Sequence, residues 1–317
     1  METPAEFERA VAPALPRTSL EPSLLARRVE MVVLGILLIV AFWPILLSMY
    51  GNWFDEHAYM EHGILVIPAA VYMAWAKKDT LKTIPPQPSR WGVLLLFWGA
   101  VQAVLGLAAQ WVWVSRMAFL VSLVGSIVAV FGWRMVRELI YPLCTLVLMV
   151  APPTFLFSRL TLSLQLLASR LGETCLEGLG YSVLREGNIL ELVGIKLSVE
   201  EACSGIRSLM AIIFMCVLYN YFFVRGWSMK TLILVMAIPI AILGNAVRII
   251  ATGIASQYNP ALVQGAAHEA LGYVTVFIAA FGCVALHLMM TSILRAWRSH
   301  NTEIKHGEIK HGEIKNG

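Results

Sequence analysis

Long apolar runs separated by short polar connections dominate the chain. Runs long enough to approach the roughly 20 residues that cross a bilayer fall at 31–50, 63–76, 91–110, 117–133, 139–157, 204–224, 231–255 and 269–291. The second is short and needs its polar flanks or neighbouring helices to complete a crossing. The pattern predicts an all-α, polytopic membrane bundle of about eight transmembrane helices. Between the fifth and sixth runs lies the longest connection, about 158–202. Its first part carries Leu160, Leu164, Leu167 and Leu171 at helical spacing, with Arg159, Arg170 and Glu173 between them, which predicts an amphipathic helix at the membrane surface. Its second part, Ile189–Val199, has two short apolar and polar runs about Val193-Gly194 and predicts a small hairpin leading toward Cys203.

Composition agrees with this division. The chain is 58% hydrophobic and 14% charged, against about 25% charged in soluble domains, and its mean hydropathy is +0.72. Three regions follow: a cytoplasmic N-terminal segment (1–30), an integral membrane domain (31–292), and a tail (293–317) containing Glu-Ile-Lys-His-Gly repeats, expected to be disordered. Acids and four prolines within the first thirty residues do not read as a cleavable leader. The scattered basic residues exclude a nucleic-acid module, and no Gly-rich phosphate loop is present. No cofactor is implied.

The distribution of Lys and Arg orients the bundle. With the N-terminus inside, seventeen fall in inner segments and five (Arg116, Arg159, Arg170, Arg185, Lys196) in outer ones, while Arg207 and Arg248 lie within spans. That bias puts both termini on the cytoplasmic side. Cys203, Arg248 and His268 then share the outer end of three successive spans, where one site can hold all three.

Each has a chemistry and an ordinary alternative. Cys203 can be a nucleophile if a positive charge or base favours its thiolate, and Arg207 lies one turn further on; it can equally be inert, or pair with Cys175. Arg248, in an otherwise apolar run, is costly unless it faces a polar interior. It suits a fixed cation that stabilises an oxyanion, or a partner for Glu200 or Glu201. Asn245 is three residues earlier and can orient it. His268 suits proton transfer, or is a tolerated interfacial residue. The loop Trp53–Gly63 offers Asp55, Glu61 and His62 as a substrate-binding lip, or a solvated loop with an aromatic anchor. His57, Glu61 and His62 are too loose a group to assign a metal. Five cysteines at irregular spacing give no disulfide framework.

Together these segments resemble the exosortase and archaeosortase family. The pieces are Trp53-x-Asp55-x5-Glu61-His62-Gly63; Glu201-Ala202-Cys203-Ser204-Gly205-Ile206-Arg207-Ser208-Leu209; Pro239-x5-Asn245-x2-Arg248; and His268-Glu269-x2-Gly272. The resemblance covers roughly 31–292. It departs at Tyr59-Met60-Glu61-His62-Gly63, where the family often reads Tyr-Ser-His-Gly. It implies a membrane cysteine protease or transpeptidase of a bacterial inner membrane, with its active site at the outer face. Its substrates would be exported proteins ending in a Pro-Glu-Pro motif, a membrane helix and a basic cluster, in bacteria that often make exopolysaccharide. Carried over by position, Cys203 is the nucleophile, Arg248 the charge stabiliser and His268 the proton-transfer residue. Arg207, Asn245, Ser204 and Gly205 support them. The acceptor nucleophile is open. A transporter or a structural subunit of a polysaccharide-export system is the competing reading.

Overall fold

The computed structural model describes residues 24–55, 60–192, 195–199, 206–258 and 265–315. It is a mostly helical, polytopic membrane protein. Helices α1 (Leu24–Ala41) and α2 (Trp43–Phe54) follow one another with a bend of 70° between them. Pro44 lies in the first turn of α2, where its ring cannot accept an unbroken helical turn before it. Helix α3 (Gly63–Ala76) occupies the run expected for it, and α4 (Lys78–Thr83) leads to α5 (Arg90–Ala108) and α6 (Val112–Val130). Short helices α7 (Trp133–Glu138) and α8 (Ile140–Thr145), with a 3₁₀ turn at Leu146–Met149, precede the long α9 (Thr154–Gly178). Strands β1 (Val183–Glu186), β2 (Ile189–Leu192) and β3 (Ile195–Ser198) follow, then α10 (Ile206–Phe223), α11 (Trp227–Tyr258) and α12 (Gly265–Lys315).

Among the described residues, five helices are long and apolar enough to cross a membrane, and seven if each bent pair is one crossing. The 14-residue α3 is shorter, so the expected eight is reached only by counting it. The fifth expected run, 139–157, is not straight. Its chain turns by 77° between Ile140–Met149 and α9, because Pro152 and Pro153 lack N–H groups and bar helical backbone at the residues before them. Residues 154–157 therefore belong to α9, which begins four residues before the surface helix was expected. The repeat-bearing tail, expected to be disordered, continues α12 as helix as far as Lys315. Extending an existing helix adds a hydrogen bond per residue without a new nucleation cost.

α9 is amphipathic, with small and polar residues on the face covered by protein. Its covered face is Thr161, Gln165, Ala168, Ser169, Gly172 and Leu176, packed chiefly against α11. Leu160 and Leu167 are exposed, as residues facing lipid are. The sheet is antiparallel in the order β1-β2-β3, with Val183 opposite Leu192 and Ile189 opposite Ser198. The expected hairpin is thus β2–β3, with Val193-Gly194 outside the described residues. β1 is an additional strand, joined to β2 by the two residues Gly187 (φ 65°) and Asn188, a turn pair that favours tight hairpins.

α5 and α6 make the closest helix pair. Gly92, Gly99 and Gly106 recur every seven residues along α5, and a Cβ on each would collide with Ala129, Ser122 and Ser115 respectively. Small residues allow such an approach, and lipid offers no hydrophobic drive to replace it. We predict that Gly92→Val, which must displace backbone of α6, destabilises the protein by about 1–3 kcal/mol, measured as a lowered thermal midpoint in detergent.

Candidate active site

Three packed groups meet at one end of the bundle. The first surrounds Arg248. In α11 the residue lies 21 positions beyond Trp227, about 30 Å along the axis, which is about the thickness of the hydrocarbon core. Its side chain is only 5% exposed. The guanidinium lies against Gly272 of α12, where an added Cβ would come 3.1 Å from its carbon and 3.2 Å from both terminal nitrogens. Gly272 is the residue that makes room for it. Asn245, also buried, lies one turn earlier on α11. His268 lies four residues before Gly272 in the first turn of the described α12, one turn away along the same helix face.

The second group seats the sheet. Leu190, Leu192, Leu197 and Val199 cluster with Leu176 and Ala168 of α9 and with Ile249 of α11. Ile249 is the neighbour of Arg248, so the sheet rests beside the buried guanidinium. Arg185 of β1 donates to Glu173 of α9 at 2.7 Å, and Lys196 pairs with Glu191 across β2–β3. The end of the sheet is pinned twice. The Val199 N–H donates to the Asn188 carbonyl at 2.9 Å, and Asn188 Nδ2 donates to the Val199 carbonyl at 3.1 Å. Cys203, Ser204 and Gly205 lie outside the described residues, between Val199 and Ile206, both fully buried.

The third group ties the first loop to α10. Arg207 Nη1 and Glu61 Oε1 are 3.3 Å apart, which joins a residue read as supporting the cysteine to one read as a substrate contact. His62 is buried, with its ring 6.1 Å from that of Phe214. Loss of solvent lowers its pKa from the ordinary imidazole value, opposed by a hydrogen bond with the backbone of Leu148. Trp53 Nε1 donates to the Met149 carbonyl at 3.1 Å, and the indole closes over Gly63, where no Cβ fits. Asp55 is exposed at the end of α2. Trp53 and Met149 were not singled out in the sequence as a pair; their link holds the loop against the bend at Pro152-Pro153.

Of the sequence-identified residues, the structure joins Glu61 to Arg207, seats Asn245 and Arg248 on one buried face, and places His268 one turn from the glycine that Arg248 touches. Asp55 stays at the exposed edge. Cys175 is exposed on α9. Among the described residues no group of three or more His, Cys, Asp or Glu side chains is arranged to hold a metal; His57 lies outside them.

The family model for transmembrane exosortases matches residues 53–286, well over half of the chain and all three groups just described. The chain belongs to the transmembrane exosortase family. Neither the curated proteins nor the solved structures gave a match. Membership of the exosortase family implies a membrane protein-sorting enzyme whose substrates are exported proteins with sorting signals.

Two glycines separate the space around Arg248 from general helix packing. At Gly244, also on α11, an added Cβ meets only Ala279 and Thr275, at 3.7 Å or more. Gly272→Ala is expected to lower the rate of substrate processing at least tenfold more than Gly244→Ala, because the first displaces a guanidinium and a misplacement of about 1 Å costs on the order of a hundredfold. Single-time-point gels of a tagged substrate, with thermal midpoints of both variants as the control for folding, check this. The partly exposed Glu61–Arg207 pair is expected to show a coupling of about 0.5–1 kcal/mol in a double-mutant cycle of stability.

Proposed function

We propose that the protein is a membrane cysteine transpeptidase or protease acting on a C-terminal sorting signal, with Cys203 as nucleophile. The observation that carries this reading is the burial of Arg248 against Gly272, one turn from His268. A cation kept from water at membrane depth is a costly fixture, and an oxyanion formed at a peptide carbonyl is a group that rewards it.

The steps balance with residues of the chain. His268 takes the proton of the Cys203 thiol, and the thiolate attacks the carbonyl carbon of the scissile peptide. Arg248 stabilises the resulting oxyanion, with Asn245 as a supporting residue one turn before it on the same helix. The C–N bond breaks as His268 returns the proton to the departing amine, leaving a thioester on Cys203. Water or an amine acceptor then attacks the thioester and restores the thiol. Arg207, held by Glu61, lies four positions beyond Cys203 and adds a guanidinium at the start of α10. Ser204 and Gly205, next to Cys203 in sequence, are proposed as supporting residues. Asp55, Glu61 and His62 are proposed as the edge that meets the polar part of the signal. The substrate's own apolar helix lies in the bilayer against the enzyme and contributes affinity by helix packing.

The excess of Lys and Arg on the opposite connections supports an orientation with both termini cytoplasmic and this site at the outer face. An exported substrate waits on that side of an inner membrane.

The test is co-expression with a tagged exported protein that ends in a Pro-Glu-Pro motif, an apolar helix and a basic cluster. Wild type is expected to shorten it, Cys203→Ser to leave it intact, and Arg248→Lys to process it about a hundredfold more slowly. Processing by Cys203→Ser at the wild-type rate removes the thioester from the mechanism.

A further inference from the structure

Further along α10 and α12, the seam between them carries reactive groups that the proposed chemistry does not use. Cys216 of α10 and Cys283 of α12 are each 2% exposed and belong to one packed cluster with Ile212, Ala237 and Ala279. Both are free thiols, and they are hydrogen-bonded to each other across the seam. Cys283 lies eleven positions beyond Gly272, about 16 Å along the axis, which is about half the thickness of a hydrocarbon core.

A second pair lies one turn on. Tyr219 follows Cys216 by three positions and His287 follows Cys283 by four, spacings that keep each residue on the face of the thiol before it. The Tyr219 hydroxyl is 2.7 Å from His287 Nδ1, and the rings meet edge to face with centroids 5.6 Å apart. Thiol pair and phenol–imidazole pair thus stand in succession along one seam. On the far side of α12, Phe277, Ile278 and Phe281 are exposed, so the width of a single helix separates the thiols from lipid.

A cysteine used only as a small apolar side chain needs no second sulfur opposite it. Two thiols in contact are the reduced form of a possible disulfide, whose sulfurs must come together across the two backbones. A thiol reacts after losing its proton, and hydrocarbon is a poor host for the charge. His287, one turn from Cys283 and held by Tyr219, is a group able to take that proton.

We infer that Cys216 and Cys283 form a dithiol site that is oxidised to a disulfide by a membrane-soluble quinone. Two S–H bonds break and one S–S bond forms. The two electrons and two protons pass to the quinone, which leaves as the quinol, and His287 relays the protons. Depth selects the oxidant, because glutathione disulfide carries charges that the bilayer centre excludes, whereas a quinone dissolves there. The bond joins the helix that follows Cys203 to the helix that carries His268 and Gly272. The site shares no residue with the proposed chemistry, and its redox state is measurable whether or not Cys203 is a nucleophile.

The experiment takes the full chain carrying Cys144→Ser, Cys175→Ser and Cys203→Ser, in detergent, and adds decylubiquinone. The chain is expected to lose the mass of two hydrogens, to yield one quinol, and to show a Cys216–Cys283 link in a non-reducing peptide map. Adding Cys216→Ser or Cys283→Ser is expected to abolish all three. His287→Gln is expected to slow the quinone reaction at least tenfold while leaving the link made by copper phenanthroline unchanged. The same map on wild type, with all five cysteines present, is expected to show the same link and guards against misfolding of the variants. Thiols that copper phenanthroline links but decylubiquinone leaves free overturn the quinone assignment, as does oxidation by glutathione disulfide at the same rate. Absence of the link under both oxidants in wild type overturns the site itself.

Discussion

A guanidinium on an apolar helix has to be enclosed by protein, since hydrocarbon offers it neither hydrogen bonds nor counter-charge. Much of the architecture around Arg248 answers that requirement. Gly272 withdraws its side chain so that α12 can lie against the charge. Ile249 turns the next position toward the sheet, whose leucines and Val199 cover that flank. α9 closes over the same helix through Gly172 and Leu176, which touch Ile249 and Gly253. The small sheet gives this enclosure its side at Ile249 of α11.

The same arrangement anchors both described residues that flank the segment with Cys203. The chain leaves the sheet at Val199, held by two hydrogen bonds to Asn188, and α10 begins at Ile206. Both anchors are buried. Arg207 is held from the opposite side by Glu61, whose loop is itself braced by Trp53 on Met149. Three separate parts of the chain thus converge on the start of α10.

Legibility in the sequence followed the reach of each physical signal. The straight crossings were readable because twenty apolar residues have few other uses, and Arg248 stood out because charge is rare there. The bend before α9 was readable in principle from Pro152-Pro153, yet the apolar run through them masked it. The leucine periodicity of α9 was readable, but not that the helix would cover Thr161, Gln165 and Ser169 against a partner 70 to 90 positions later in the chain. Glu61 and Arg207 were each singled out, but nothing local linked residues 146 positions apart. The buried Arg116 passed as an ordinary loop cation, since the turn at Gln110 that starts α6 early carries no glycine to announce it.

The covered polar face of α9 bears on how the protein is made. A helix that conceals hydroxyls and an amide cannot settle among lipids by itself. Its cover, α11, leaves the ribosome some fifty residues after α9 is complete. During synthesis α9 must therefore rest at the membrane surface with Gln165 and Ser169 still hydrated, and move to its final place only when its later partner arrives. The order of assembly runs against the order of the chain: the site's own roof is among the last pieces to be set.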